Sequence, residues 1–351
     1  MVLNNVLITG GCGFIGISLV KKLLNLGTTK IRIIDNLSVG SKSDLFQVSK
    51  FIEVKPENIK GPPAGIELVV GDIQEINLAT KVTKGITVVF HLAANTGVGP
   101  SIENPKADMQ INVLGTFNYL EASRINKISK FVFASSGAPV GEINPPIHEE
   151  IAPHPVSPYG ASKLAGEGYC SAYKRTFDLD TVALRFSNVY GPGSAHKLSV
   201  VAKFIKKAMG GKPLEIYGDG AQTRDFIYID DLIDAIILAS KKNNIGGEIF
   251  QIASSKEITI SEMTNKLINE LKLQGIENVS IKNSSKRTGD VRRNFSDISK
   301  AKNNLGWDAK VDLKKGLFET VKYFLKKDKG AYKWKKFLKT RKYLLPVLVV
   351  Q

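Results

Sequence analysis

Cysteine is nearly missing from this 351-residue chain, which holds two, Cys12 and Cys170. Two thiols make neither a disulfide framework nor a metal-ligand cluster, so a stapled secreted scaffold is excluded, no metal is expected, and a reducing cytoplasm fits. Long apolar runs are missing too. Nothing approaches the roughly 18 apolar residues of a spanning helix; the apolar-rich end Tyr343–Val350 is short and contains Pro346. The opening residues lack a basic region and read as a first strand rather than a leader. Acidic residues are scarce, 33 Asp and Glu against 49 Lys and Arg, a net charge of +16. That excess suggests a nucleic-acid or membrane-surface partner, but its location argues otherwise. Ten basic residues and one acid, Asp328, fall between Lys322 and Lys342, so one terminal stretch carries +9 of the total. The remainder is only mildly basic, and no nucleic acid is expected.

What is present describes a soluble globular chain, 43% hydrophobic and 23% charged, long enough for two domains. Strand-like runs at Val6–Thr9, Ile31–Ile34, Leu68–Val70, Val88–His91, Lys130–Ala134 and Thr181–Arg185 alternate with helical patterns at Phe14–Leu26, Asn112–Arg124 and Ser157–Thr176. This is the signature of an α/β fold, a Rossmann-type doubly wound parallel sheet covered on both faces. Ser157 is placed to cap its helix, with Pro158 at the first helical position. Beyond Gly191 the pattern loosens, and a smaller, discontinuous substrate domain is expected. The division is 1–183 for the cofactor domain with 225–252 returning to it, 184–224 and 253–330 for the substrate domain, and 331–351 as a basic, apolar tail.

Two runs carry the chemistry. Thr9-Gly10-Gly11-Cys12-Gly13-Phe14-Ile15-Gly16 follows the first strand and opens a helix, with Asp35 closing the second strand 19 residues later. Gly10 permits the turn, Gly13 lets backbone approach a pyrophosphate, Gly16 lets helix meet strand, and the helix N-terminus offers free N–H groups. Asp35 suits a ribose diol and repels a 2′-phosphate, favouring NAD over NADP, with a flavin still open. Asp72, just past the third strand, suits an adenine amino group or a helix cap. His91-Leu92-Ala93-Ala94 ends the fourth strand with small residues, and His91 reads as a core histidine. Tyr159-Gly-Ala-Ser-Lys163 sets a phenol and an ammonium one helical turn apart, and the ammonium is expected to lower the phenol toward use as a base. Ser136, ending the fifth strand, can hydrogen-bond the reacting oxygen.

With these motifs and DNLSVG at 35–40, INVLGT at 111–116, LRFSNVYGPG at 184–193, GDGAQTRDFIYIDD at 218–231 and RTGDVRRNFSD at 287–297, the chain resembles the extended short-chain dehydrogenases/reductases. Within them it is most similar to the nucleotide-diphosphate-sugar epimerases that act at C4. The resemblance spans about Val6 to Trp307. It implies NAD held by Gly10, Gly13, Phe14, Ile15, Gly16, Asp35, Asn36, Asp72, Ile73, Leu92, Ala93, Ala94, Asn112, Tyr159 and Lys163. It implies catalysis by Tyr159, Lys163 and Ser136, and a UDP-sugar held by Ser136, Asn188, Tyr217, Arg224, Arg287, Asp290 and Asn294. It further implies a homodimer built on a four-helix bundle.

Departures from the family pattern matter. Pro139-Val140 replaces the usual aromatic, which should reshape the sugar pocket. Gly137 and Ala138 stand where sugar 4,6-dehydratases carry an acid pair. Asn294 occupies the position that admits or excludes a 2-acetamido group. Ser194–Leu198 is unusual, and His196 and Lys197 read as solvated loop residues or as partners of a hexuronate carboxylate. His148, Glu149, Glu150 and His154 resemble a metal cluster in composition but sit among prolines, as a loop over the site would. A UDP-hexuronate epimerase, a related reductase or decarboxylase, and a silent NAD-binding regulator remain alternatives. The tail, with its interleaved aromatic and basic residues, reads as a solvated or subunit-packing extension or as a contact with an anionic membrane.

Overall fold

The computed structural model describes residues 2–197, 199–285 and 291–341, the span 328–341 as backbone alone. Arg287, Asp290, Leu198 and the end of the basic tail therefore lie outside the described residues. Eight parallel strands form the main sheet: β1 (Val6–Thr9), β2 (Ile31–Asp35), β3 (Ile52–Glu53), β4 (Ile66–Val70), β5 (Val88–His91), β6 (Lys130–Ser136), β7 (Thr181–Phe186) and a late arrival, Glu248–Ile252. Between β7 and that late strand come β8 (Asn188–Tyr190), β9 (Leu214–Tyr217), β10 (Thr223–Arg224) and β11 (Phe226–Tyr228); Glu248–Ile252 is thus β12, followed by β13 (Ile258–Thr259) and β14 (Ile281–Ser284).

The order across the sheet is β12-β7-β6-β5-β1-β2-β4-β3. The chain winds outward in both directions from β1, so a crevice opens at the carboxyl ends of β1 and β5, where such sheets bind ligands. Alternation sorts the core. Val6 and Ile8 of β1 and Val88 and Phe90 of β5 pack with α1 (Phe14–Asn25). Leu7 and Val89 point to the other face, with Tyr119 and Leu120. Period-2 alternation of buried residues on both faces is what a helix-covered parallel sheet requires.

The remaining helices are α2 (Lys42–Phe46), α3 (Ile76–Val82), α4 (Val98–Glu103), α5 (Pro105–Met109), α6 (Gly115–Ile125), α7 (Pro158–Phe177), α8 (Val200–Met209), α9 (Ile229–Lys241), α10 (Ile260–Leu273) and α11 (Leu313–Arg341). The helix expected from Asn112 begins differently. Gln110–Leu114 is a π-helical turn that bulges Asn112 inward before α6 starts. α7 starts as expected: the Ser157 hydroxyl accepts the Gly160 N–H at 3.1 Å, with Pro158 in the first turn. Its buried face is locked to the sheet by Glu167, which takes two bonds from the Arg185 guanidinium, 2.8 and 2.7 Å, and one from the Ser135 hydroxyl at 2.6 Å. Both partners of the ion pair are about 2% exposed or less.

Candidate active site

The glycine loop fits a dinucleotide on local grounds. Gly10 has φ +68°, and a Cβ there would stand 2.9 Å from the Ala93 backbone. A Cβ on Gly16 would lie 2.3 Å from the Gly10 carbonyl oxygen, so helix and loop touch through glycine alone. Gly13 meets only the Gly10 carbonyl, at 3.3 Å, leaving an open approach where α1 begins without a side-chain cap. Phe14 and Ile15 form that first turn, whose N–H groups are free for a phosphate. Asp35, buried at the end of β2, accepts the Cys12 and Leu37 N–H groups at 2.9 and 2.8 Å. Burial raises its carboxyl and the two backbone bonds pull it back; each oxygen keeps a lone pair for a ribose hydroxyl. Asn36 donates to Asp72 at 3.2 Å, and Asp72 also accepts the Gln74 N–H at 2.9 Å. The Asp72 carboxylate therefore caps a turn and fixes Asn36, while the neighbouring Ile73 is buried.

Across the crevice, one hydroxyl sets the geometry. Thr9 Oγ1 accepts the Leu92 and Ala93 N–H groups, each at 3.1 Å, and lies 3.0 Å from His91 Nδ1. With two protons pointing at it, Thr9 donates its own to Nδ1, so His91 carries its proton on Nε2, facing Thr116 Oγ1 at 3.2 Å. Burial and the Lys163 charge hold His91 neutral, its value pushed down to about 3; it is a core histidine, as expected. Thr116 donates to the Asn112 carbonyl. The Asn112 side chain, 1% exposed, bonds the backbone of Asn95 on both sides, at 2.8 and 3.0 Å, and reaches Asp108 at 2.9 Å and Ser162 at 3.1 Å. Asn112 is thus the clamp between the loop after β5, which includes Ala94, and α7.

Ser136 ends β6 and Tyr159 opens α7, so the sheet edge and the helix N-terminus bring them together. Burial pushes the Tyr159 phenol up to about 12; a hydrogen bond with the Ser136 hydroxyl pulls it down, and Asp108 pushes it further up. The expectation that Lys163 lowers the phenol is not met by the protein alone. The Lys163 ammonium, 3% exposed, turns to the Ala134 carbonyl at 2.9 Å and sits 4.9 Å over the Phe133 ring. Burial brings Lys163 down to about 8, against the charges of Asp108 and Glu167. Two of its three N–H groups remain for a ribose diol. Asp108 was not foreseen. Nothing local marks a carboxylate three residues past a proline as part of this cluster; it lies on α5, which packs against α7.

The residues assigned to the substrate are more spread. The Asn188 side chain donates to the Asp225 carbonyl at 3.2 Å. Arg224 donates to the Thr223 and Val291 carbonyls, at 2.6 and 2.8 Å, tying β10 to the segment before Asn294. Tyr217 ends β9 with Lys203 of α8 5.5 Å from its ring. The Asn294 N–H donates to Thr223 Oγ1 at 3.2 Å. Asp225, also unforeseen, is fully buried and accepts bonds from Ser254, Ser255 and Ser296, holding these strands as one unit. Val140 and Pro139 are buried, Val140 completely, so the lost aromatic is a change inside the wall. Glu149 accepts the Gln251 N–H at 2.7 Å, which makes it a loop anchor. His196 meets Asp44 at 3.2 Å and Lys197 lies 5.6 Å from the Phe14 ring, both toward the glycine loop.

Comparison with known proteins agrees with this geometry. The family model described as the NAD dependent epimerase/dehydratase family matches residues 6–253. A putative UDP-glucose 4-epimerase of Methanocaldococcus jannaschii is 38% identical, covering 91% of this chain and 97% of its own. The Thermotoga maritima UDP-glucose 4-epimerase, solved with UDP-glucose, superposes with a TM-score of 0.82 at 33% identity, covering 93% of this chain and 99% of its own. A UDP-N-acetylglucosamine 4-epimerase from Methanobrevibacter ruminantium gives 0.82 at 32% identity, over 93% of this chain and 100% of its own. With an NAD-shaped glycine loop, a diol carboxylate and the Ser136, Tyr159, Lys163 group at one sheet edge, this chain is an enzyme of the NAD-dependent epimerase/dehydratase family, an extended short-chain dehydrogenase/reductase of the nucleotide-sugar epimerase kind.

Proposed function

We propose that this enzyme inverts C4 of a UDP-sugar, of the UDP-glucose/galactose or UDP-N-acetylhexosamine type. The observation that carries the reading is the meeting of Ser136, Tyr159 and Lys163 at the carboxyl edge of β6, beside the cofactor loop. Bound NAD supplies the acceptor, and later the donor, of one hydride. Tyr159 takes the proton of the sugar 4-hydroxyl, and Ser136 hydrogen-bonds that oxygen as it becomes a ketone. The ammonium of Lys163 grips the nicotinamide ribose and, with the charge of the cofactor ring nearby, brings the phenol down toward the working pH. After the 4-keto sugar turns over, it presents the other face of C4 to the returning hydride, and Tyr159 gives the proton back to the C4 oxygen. Asn188, Tyr217 and Arg224 hold the UDP, joined by Arg287 and Asp290 as the family pattern implies. Arginines suit a diphosphate's paired oxygens, and an aromatic plane suits uracil.

Gly137 and Ala138 supply no acid–base pair for eliminating water, which favours epimerisation over dehydration. His196 and Lys197, spent on the cofactor side, give no support to a hexuronate subsite. Asn294 leaves a 2-acetamido group open. Incubating the enzyme with UDP-glucose, UDP-N-acetylglucosamine and their uronates, with NMR of the products, tests the reading. One 4-epimer pair at equilibrium supports it; net NADH turnover without epimer sinks it.

The same reading extends to assembly and location. A homodimer forms through α6 and α7, whose outer face shows Ile125 and Phe177 about half exposed beside Tyr169; Phe117, Tyr169, Tyr173 and Phe177 stack edge to face along it. The division into a cofactor half, 1–183 with 225–252, and a substrate half, 184–224 and 253–330, belongs to the same proposal. The protein works in the cytoplasm, supplying polysaccharide assembly, and its basic tail touches anionic lipid headgroups. Lipid flotation with and without residues 331–351 tests the contact, and identical behaviour retires it.

A further inference from the structure

The segment Gly193–Lys197 crosses from the substrate half onto the cofactor loop. Gly193, at φ +94°, lies so close to Phe14 that a Cβ would stand 3.2 Å from its ring. Ser194, 1% exposed, donates to the Gly191 carbonyl at 2.7 Å and starts a single 3₁₀ turn. Lys206 of α8 braces the turn from outside, donating to the Ala195 and Lys197 carbonyls at 3.2 and 3.0 Å.

The next two side chains part to opposite walls. Lys197 places its ammonium 5.6 Å from the Phe14 ring, on the first residue of α1. His196 reaches Asp44 Oδ2 at 3.2 Å, on α2 beyond the diol-binding Asp35. Asp44 is itself held, by the Ser41 hydroxyl at 2.7 Å and by Lys327 of α11 at 3.4 Å. Its segment lies flush on the glycine loop: a Cβ on Gly40 would be 2.1 Å from the Cys12 carbonyl oxygen. His196 and Lys197 therefore join the first turn of α1, where such folds take a pyrophosphate, to the segment that follows the ribose carboxylate Asp35.

We propose that Gly193–Lys197 is a strap that retains the dinucleotide, with His196 and Asp44 as its latch. The inference rests on the epimerase reading for its purpose, since a cofactor that leaves in mid-cycle strands a keto sugar. It rests only on NAD binding for its test. His196 is half exposed and Asp44→Asn keeps the side chain's shape, so both His196→Ala and Asp44→Asn proteins should fold.

The experiment loads each protein with NAD, dilutes it into excess labelled NAD without sugar, and follows exchange. Losing one hydrogen bond to a charged group predicts release about tenfold faster in each variant, and no additive effect in the double variant. Activity should decay on dilution and return when NAD is added, with KM for the sugar within about twofold. Unchanged NAD release with a lowered Tm would make the contact merely structural and overturn the proposal. A raised KM for the sugar with unchanged NAD release would assign the segment to the substrate and overturn it equally. Because exchange is read without sugar, failure of the strap and failure of the epimerase reading are distinguishable.

Discussion

Glu167 is the hinge pin between the catalytic helix and the sheet, and replacing it by glutamine should cost more than any surface change. Its two oxygens take the Arg185 guanidinium at 2.8 and 2.7 Å and the Ser135 hydroxyl at 2.6 Å, with both ionic partners about 2% exposed or less. A glutamine offers one acceptor and points an N–H₂ at a donor that it must face. One charge-assisted bond is lost and a guanidinium is left buried without its counter-charge. Removing one partner of such a pair costs about 3–5 kcal/mol, against a total stability on the order of 5–15 kcal/mol. Urea denaturation of Glu167→Gln should therefore show a large fall in midpoint at unchanged slope, and Arg185→Met a similar one. The double variant Glu167→Leu/Arg185→Met, which removes both charges, should recover most of the loss, because a paired burial gains little over a packed apolar one. A single-variant cost below about 1 kcal/mol, or a double-variant cost equal to the sum, would refute the reasoning.

Three further outcomes follow from the site. Tyr159→Phe should keep its fold and lose about 10²- to 10⁴-fold in kcat, read by product formation; full activity would remove the assigned base. Lys163 is brought from 10.5 to about 8 by burial, so below pH 8 its charge weighs against folding by about 3 kcal/mol. That cost is relieved as pH rises from about 8 to 10.5, where only the unfolded chain still holds the proton. Lys163→Met should therefore be inactive yet more stable than the parent at pH 7, with the gap closing toward pH 10; a gap that is constant with pH contradicts the assignment. Gly16→Ala, whose Cβ would stand 2.3 Å from the Gly10 oxygen, should lower both Tm and NAD affinity, whereas Gly13→Ala, whose Cβ would press on the same oxygen at a milder 3.3 Å, should lower NAD affinity with a smaller loss of Tm. Calorimetry with and without NAD separates the two.

How much of this was visible in the sequence depended on whether the signal was local. The glycine loop, the Ser157 cap and the short apolar runs of β1, β5 and β6 are short-range patterns, and each lies where its sequence indicates. Tyr159 and Lys163 were found because four residues is one turn. The spacing does not show where the ammonium turns in the protein alone: it donates to the Ala134 carbonyl, a contact 29 residues away in the chain. The inward bulge of Asn112 was invisible because a π-helical turn has no hydrophobic period of its own, and Asp108, on the short α5 before it, joins the cluster only because α5 packs on α7. Asp225, Glu167 and Arg185 were missed for a related reason. Glu167 of α7 meets Arg185 of β7 and Ser135 of β6, Asp225 gathers Ser254, Ser255 and Ser296, and a charged residue carries no mark in the sequence of such a distant partner. For His196 and Lys197 the sequence left a solvated loop and a sugar carboxylate side by side, since chain order could not say that they face Asp44 and the Phe14 ring.

The measurement that bears most directly on the central claim follows the hydrogen at C4. The UDP-sugar identified by the substrate panel, carrying deuterium at C4, is incubated with the NAD-loaded enzyme in ordinary water together with unlabelled sugar. The account predicts a 4-epimer that keeps deuterium at C4, with none in solvent and no net NADH, because the hydride leaves and returns within one closed site. Deuterium washed into water, or NADH accumulating beside a released keto sugar, would contradict it.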